Sequence, residues 1–216
     1  EQTVLANEQV IDGKGWRSGI AVERKKLSQW FFNIKKFSQN LLDELEKLEN
    51  WPEKVKLMQK NWIGKSYGCE INFQIDNKKK LNKINVFTTR PDTIFGVSFM
   101  VLAPEHPLVS KITTNPQRKK IEKYQKEASS KSERDRMSDV KTITGEFTGA
   151  YAIHPFSGDK IQIWIGDYVL ASYGTGAVMA VPCGDQRDWD FATYFGLEII
   201  NIFEGVDVSE MANEDK

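Results

Sequence analysis

Cysteine is nearly absent. Cys69 and Cys183 are the only two in 216 residues, and they stand too far apart to suggest a metal-ligand set or a disulfide framework. Histidine is as scarce: His106 and His154 each directly precede a proline. Neither sits in a recognisable Ser-His-Asp or Cys-His arrangement, which argues against a nucleophile of that kind and against a zinc site. Net charge is also missing, because 30 basic residues balance 30 acidic ones. No global field draws nucleic acid, so any RNA contact must come from a local patch. Lys78-Lys79-Lys80, Arg24-Lys25-Lys26 and Arg118-Lys119-Lys120 are the candidates, though such runs serve equally as solvated surface. No apolar run approaches membrane length and no signal peptide is recognised. The expected setting is the cytosol, with no membrane partner.

What is present is concentrated in two stretches. The first runs Phe87-Thr88-Thr89-Arg90-Pro91-Asp92-Thr93-Ile94-Phe95-Gly96. It begins as a β-branched and aromatic strand of period two. Pro91 removes a backbone donor and biases Arg90 towards an extended form, so the strand should end near Thr89. Threonine hydroxyls, a guanidinium and a carboxylate are thereby bunched where a strand breaks into a turn, a common place for binding chemistry. The second runs Tyr173-Gly174-Thr175-Gly176-Ala177-Val178-Met179-Ala180-Val181-Pro182. Its glycines suit a sharp bend, and Ala177, Met179 and Val181 share one face of a short strand. Asp185 then reads as the N-cap of a helix, with Asp188 at the N3 position.

Along the chain, Gly13, Gly15 and Gly19 break residues 1–23. Leu27, Phe31, Ile34, Phe37, Leu41, Leu45 and Leu48 recur at three or four and predict an amphipathic helix. Pro52 suits the first turn of a second helix running towards Trp62. Residues 64–68 look like a hinge. Beyond it Ile71, Phe73 and Ile75 alternate with polar residues, and Ile84 to Thr89 returns to make a hairpin. Further strands are expected over Val97–Ala103, Phe147–Ile153, Ile161–Ile165, Tyr168–Ala171 and Glu198–Phe203. Helices are expected within Pro104–Ile112, over Gln117–Ala128 and from Gln186 to near Gly196. Ser129–Asp139 reads as polar and mobile. The sum is a mixed α+β protein with a strongly bent or barrel-like sheet. It divides into a helical segment at 1–66, a main domain at 67–205 and a polar, flexible tail at 206–216.

The two stretches, in this order, resemble the editing domain inserted in leucyl-tRNA synthetases, also called connective peptide 1. Thr88 to Gly96, Met179-Ala180-Val181-Pro182 and Asp185-Gln186-Arg187-Asp188 carry the likeness most specifically. Thr3 to Val10, Gln29-Trp30-Phe31, Trp51 to Val55 and Met58 to Gly64 look like the segment leading into that insert. The resemblance covers nearly the whole chain, most weakly at 111–140 and 204–216. It implies a class I synthetase editing-domain fold with a helical N-terminal appendage, in a piece cut at both ends. It also implies hydrolysis of the ester that joins a wrong amino acid, such as isoleucine or norvaline, to the acceptor end of tRNA(Leu). The implied partners are that tRNA end, the mischarged ester and the remainder of the synthetase. No cofactor is implied for this chain: the ATP and magnesium of a full-length enzyme belong to activation, whose ATP-binding signatures are missing here. One departure stands out. The family usually has a histidine just before the Asp185 position, and this chain has Gly184, which argues against a required imidazole base there.

In that light Asp188 is the carboxylate for the substrate's α-ammonium, its ionised form favoured by the helix start. The alternative is that Asp185 and Asp188 merely complete a capping box. Thr88 and Thr89 would hold the ester carbonyl, ribose or attacking water, which requires the strand to distort so that both hydroxyls face one pocket. Arg90 would contact the terminal nucleotide, or else serve only as a surface ion pair. Thr93 would refuse leucine itself, because a second sieve is needed where an activation pocket separates neighbours by only ~1–3 kcal/mol. Met179, Val181 and Tyr173 would line the same pocket, with ordinary core the competing role for Val181. Asp185 would act as cap and support. A non-catalytic module that only holds the tRNA end, or a valyl- or isoleucyl-type editor, are the rival readings.

Overall fold

The computed structural model describes residues 3–23, 28, 30–76, 83–131, 133–138, 142–172 and 174–214. Tyr173, Leu27, the Arg24 to Lys26 run and the Lys78 to Lys80 run lie outside them. The chain separates into two compact units, Lys25–Tyr67 and a second formed by Glu1–Arg24 with Gly68–Lys216. The first two dozen residues therefore group with the larger unit, a different division from the 1–66 segment drawn from the sequence.

The smaller unit holds a 3-10 turn over Ile34–Phe37 that leads into α1 (Ser38–Leu45), followed by α2 (Glu53–Ile63). The amphipathic helix is thus shorter than its apolar period suggested. Residues 30–33 are not helical, in keeping with the poor helix propensity of consecutive aromatics. Pro52 is the N-cap of α2, and Gly64, in the left-handed region at φ 60°, closes it. Leu45 is the sole buried side chain among the described residues of this unit.

In the larger unit a small hairpin, β1 (Val10–Ile11) with β2 (Lys14–Gly15), precedes the main sheet. That sheet has six strands: β3 (Cys69–Ile75), β4 (Lys83–Thr88), β5 (Phe99–Leu102), β6 (Glu146–Ile153), β7 (Lys160–Ile165) and β8 (Ala177–Ala180). Their order is β4-β3-β6-β7-β5-β8, with β5 and β7 parallel and every other pair antiparallel. The outer strands β4 and β8 come back beside each other, although no ladder joins them. The result is a mixed, nearly closed barrel. β5 lies between two neighbours and is buried at every residue, as its unbroken apolar run requires. A bulge between Phe147 and Ala150 bends β6. Gly149 supplies the left-handed turn there, at φ 77°, and any Cβ would strike Thr114.

Helices α3 (Val109–Ile112), α4 (Arg118–Ser130), α5 (Glu133–Ser138) and α6 (Gln186–Phe195) surround the sheet. The helix expected within Pro104–Ile112 shrinks to the single turn of α3. Four expectations are corrected more deeply. Ser129–Asp139 is not a mobile stretch: α5 forms within it and buries Arg136. Tyr168–Ala171 is not a strand, because Arg136 takes the carbonyls of Asp167 and Val169 that a ladder would need. Glu198–Phe203 is not a strand either. Asn201 captures local backbone instead, accepting from Phe203 N and donating to the Val206 carbonyl. The tail from 206 is docked as far as the structure describes it, with Val208 and Ala212 buried and the Ala212 and Asn213 amides bonded to Gln186 and Cys183. No helix among the described residues is long and apolar enough to cross a membrane.

Candidate active site

Where β4 ends, the backbone turns through local hydrogen bonds. The Arg90 amide donates to Thr88 Oγ1 at 3.0 Å, a side-chain turn that draws the chain out of the sheet. A 3-10 helix over Pro91–Gly96 follows, with Pro91 in its first turn. Within it the Thr93 hydroxyl donates to the Arg90 carbonyl at 2.9 Å. That bond fixes the side-chain rotamer and so sets where the Thr93 methyl lies. The Arg90 guanidinium grips Asp92, Nη2 donating to Oδ2 at 2.8 Å, and both side chains are exposed. His154, buried beneath, fastens the segment. Its Nδ1 accepts from the amides of Phe156 and Ser157, which leaves Nε2 as donor to the Ile94 carbonyl at 3.0 Å.

Where β8 ends, the chain runs through Val181 to the start of α6. Asp185 is the N-cap, its Oδ1 accepting from the Asp188 amide at 3.0 Å. Asp188 does not return the favour as a capping box would. Its Oδ2 instead accepts from the Val181 amide at 2.9 Å and its Oδ1 from the Tyr168 hydroxyl at 3.2 Å. Asp188 is buried, and burial pushes its carboxyl up to about 7, with the neighbouring Asp185 charge adding to the rise. The two hydrogen bonds and Arg187 pull the other way without cancelling it. The expectation that the helix start favours the ionised form is corrected accordingly: at this depth desolvation outweighs the donors.

The two segments meet. At Gly96 they are in close contact, since a Cβ there would come within 3.1 Å of both Val181 Cγ1 and Cys183 Sγ. Above that contact lies a cavity of about 350 Å³, lined by Arg90, Thr93, Gly184, Asp185, Phe203, Asn213 and Glu214. Of the residues singled out from the sequence, Arg90, Thr93 and Asp185 share this cavity. Asp188 is buried and is not among the lining residues. Val181 is core through its side chain and contributes to the site through its amide. Met179 is buried in β8 opposite Met100. Thr88 is half-buried and Thr89 exposed, and neither lines the cavity. The expected distortion is therefore partial, with the Thr88 hydroxyl engaged in the turn. Tyr173 lies outside the described residues. Cys183 is buried, and burial pushes its thiol up, as suits a small packing residue.

Sequence reasoning missed Phe203, Asn213 and Glu214. Asn213 and Glu214 reach the cavity because residues 208–214 clasp α6: Trp189 Nε1 donates to the Val208 carbonyl at 2.9 Å, and the Gln186 amide donates to Glu214 Oε1 at 3.2 Å. No local pattern announces such a long-range contact. Tyr168 was also missed as a partner of Asp188. A tyrosine in a loop carries no signal for the carboxylate it will meet.

Chemically the cavity offers the Arg90 guanidinium, the Asp185 and Glu214 carboxylates and the Thr93 side chain. That set suits a substrate carrying both an ammonium and an anionic or nucleotide portion. Comparisons with known proteins place the chain in a family. A family model described as leucyl-tRNA synthetase, editing domain, matches residues 60–216. A leucine–tRNA ligase of Christiangramia forsetii is 59% identical over 214 residues, covering 99% of this chain and 22% of that protein. One from Flavobacterium johnsoniae is 54% identical over 219 residues, with 99% and 23% covered. The agnB2 LeuRS of Agrobacterium radiobacter, solved as a ternary complex with tRNA and LeuAMS, matches with a TM-score of 0.74 at 39% identity. That match covers 98% of this chain and 25% of the solved one. The chain thus spans about a quarter or less of the length of each of these relatives.

Proposed function

The chain belongs to the leucyl-tRNA synthetase editing-domain family, and on that premise we propose that it hydrolyses the ester of mischarged aminoacyl-tRNA(Leu), releasing isoleucine, norvaline or a similar wrong amino acid while refusing leucine. One observation carries the reading. Arg90 and Thr93 from the first segment and Asp185 from the second, remote in sequence, face one cavity of about 350 Å³, large enough for an amino acid and part of a ribose.

The proposed chemistry is simple. Water attacks the ester carbonyl carbon, the acyl–oxygen bond breaks, and the ribose oxygen leaves with a proton. The vicinal hydroxyl of the substrate's own ribose relays that proton. Asp188 draws the α-ammonium towards the helix start, and the arrival of that cation favours the carboxylate form that burial disfavours. Asp185 caps the helix and adds a second negative charge at the cavity surface. The methyl of Thr93, held by the bond from its hydroxyl to the Arg90 carbonyl, occupies the space the branched leucine side chain needs. Val181 packs beside Gly96 of the same segment, and Met179 is buried in β8. Arg90, oriented by Asp92, meets the terminal nucleotide. Thr88 and Thr89 hold the ribose side as the substrate enters.

The test is deacylation of isoleucyl- and norvalyl-tRNA(Leu) by this chain, run beside leucyl-tRNA(Leu) and a measurement of tRNA binding. Release of the wrong amino acids with leucine left attached is the expected result. Binding without hydrolysis of any ester would instead make the domain a holder of the tRNA end.

A further inference from the structure

The loop between β7 and β8 is fixed far more firmly than a connection needs. Arg136 of α5 is only 3% exposed. Its Nε donates to the Asp167 carbonyl and its Nη2 to the Val169 carbonyl, both at 2.6 Å, while Nη1 meets Glu105 at 2.9 Å. One buried guanidinium thus clamps the peptides on either side of Tyr168. The preceding residue is held again: the Asp167 amide donates to the Tyr124 hydroxyl, and its carboxylate takes Lys131 at 2.7 Å and Thr144 at 2.8 Å. The Tyr168 ring lies against Phe191, with the Arg187 guanidinium 5.7 Å from its centroid. So placed, its hydroxyl donates to Asp188 Oδ1.

Burying an arginine to fix three consecutive residues makes physical sense where the middle one must point accurately. We propose that Tyr168, held by the Arg136 clamp, is a positioning residue for Asp188: its hydroxyl keeps the carboxylate oriented and charged for the substrate's ammonium. The inference rests on the hydrolase reading. Every group that faces Asp188 enters the balance. Asp185 on the same helix opposes its ionisation, whereas Arg187, the Val181 amide and the Tyr168 hydroxyl favour it. Burial and the adjacent carboxylate hold the Tyr168 hydroxyl well above its ordinary range, so it stays a neutral donor through neutral pH.

Tyr168→Phe keeps the ring and removes only the donor. The ratio of wild-type to variant kcat/KM for isoleucyl-tRNA(Leu) should be about tenfold near pH 6 and fall to about twofold or less near pH 8.5, as expected for losing a hydrogen bond to a charged group. Taking the ratio cancels ionisation of the substrate. In parallel, the Asp188 carboxyl carbon, followed by NMR in labelled protein, should titrate at higher pH in the variant. Arg136→Lys, which keeps the charge but cannot span both carbonyls, should give the same pH-dependent ratio. A ratio flat across pH, whether near one or uniformly large, or an unmoved carboxyl titration, overturns the inference while wild-type activity leaves the hydrolase reading standing. A wild-type chain that deacylates nothing brings down both.

Discussion

The two walls of the cavity are built on opposite principles. The wall from Thr88 to Gly96 is almost self-sufficient. Most of its bonds run between residues two or three apart, Arg90 to Thr88, Thr93 to Arg90 and Arg90 to Asp92, with His154 on the Ile94 carbonyl the distant exception. The wall from Val181 to Asp188 depends on distant chain, since Tyr168, Val208, Asn213 and Glu214 all fasten it. The difference bears on function. A local turn can present a shape, such as a methyl in a fixed place, with little help. A buried carboxylate needs donors gathered from elsewhere, or its charge is lost to desolvation.

The sharpest way to break this comparison is to remove the carboxylate. Asp188→Ala should lower deacylation of every aminoacyl ester by roughly 100- to 1,000-fold, the scale of about 3–5 kcal/mol seen when one partner of a buried charged pair is lost. The Val181 amide and Tyr168 hydroxyl, left without an acceptor, should also cost the fold about 1–3 kcal/mol. Retained activity would make Asp188 a structural brace only.

The next largest effect tests the charge itself. The Asp188 carboxyl is raised to about 7 in the folded chain from an ordinary value of 3.8. Its contribution to stability is therefore full below 3.8 and is lost as pH rises through 7. Asp188→Asn has no such loss, so in urea unfolding it should gain on wild type by roughly 2–3 kcal/mol between about pH 5 and pH 8. Parallel curves for the two proteins would show that the carboxylate is not desolvated.

The opposite wall should respond in shape rather than in charge. Thr93→Ala should open the pocket to leucine and raise hydrolysis of leucyl-tRNA(Leu) by about 10- to 200-fold, the usual value of one or two methyl groups in a pocket. Thr93→Val keeps the branched shape and loses only the hydroxyl bond, so leucine should still be refused, with about 1 kcal/mol lost from the fold. Equal behaviour of the two variants would remove the methyl from the selectivity account. The smallest change should come from Asp92→Asn: the exposed pair it forms with Arg90 is worth about 0–1 kcal/mol, so tRNA deacylation should shift by no more than about fivefold.

The same contrast explains what the sequence made legible. Pro91 and the threonines around it foretold the end of β4, because turn chemistry is local. The Asp185 cap and the Gly196 stop of α6 were equally readable for that reason. The β3–β4 hairpin and the buried run of β5 followed from their patterns. What stayed hidden was set by contacts across the chain. Nothing in Ser129–Asp139 distinguishes Arg136 from its charged neighbours until two carbonyls arrive to meet it. Nothing in the polar tail tells that Glu214 will sit against the Gln186 amide. The assignment of Asp188 as a charged helix-start residue failed quantitatively for the same cause: depth, which decides its ionisation, belongs to the tertiary fold.

The incomplete closure of the barrel has a mechanical consequence. The strands β4 and β8 stand side by side without a ladder, and each hands over directly to one wall of the cavity. The seam between the strands that lead to Thr93 and to Asp185 is therefore not laced by an amide-to-carbonyl ladder. Such a seam yields to small changes in volume where a laced edge would not. The Thr93 and Asp185 walls of the cavity thus extend from the one junction of neighbouring strands in this sheet, among the described residues, that no ladder fixes.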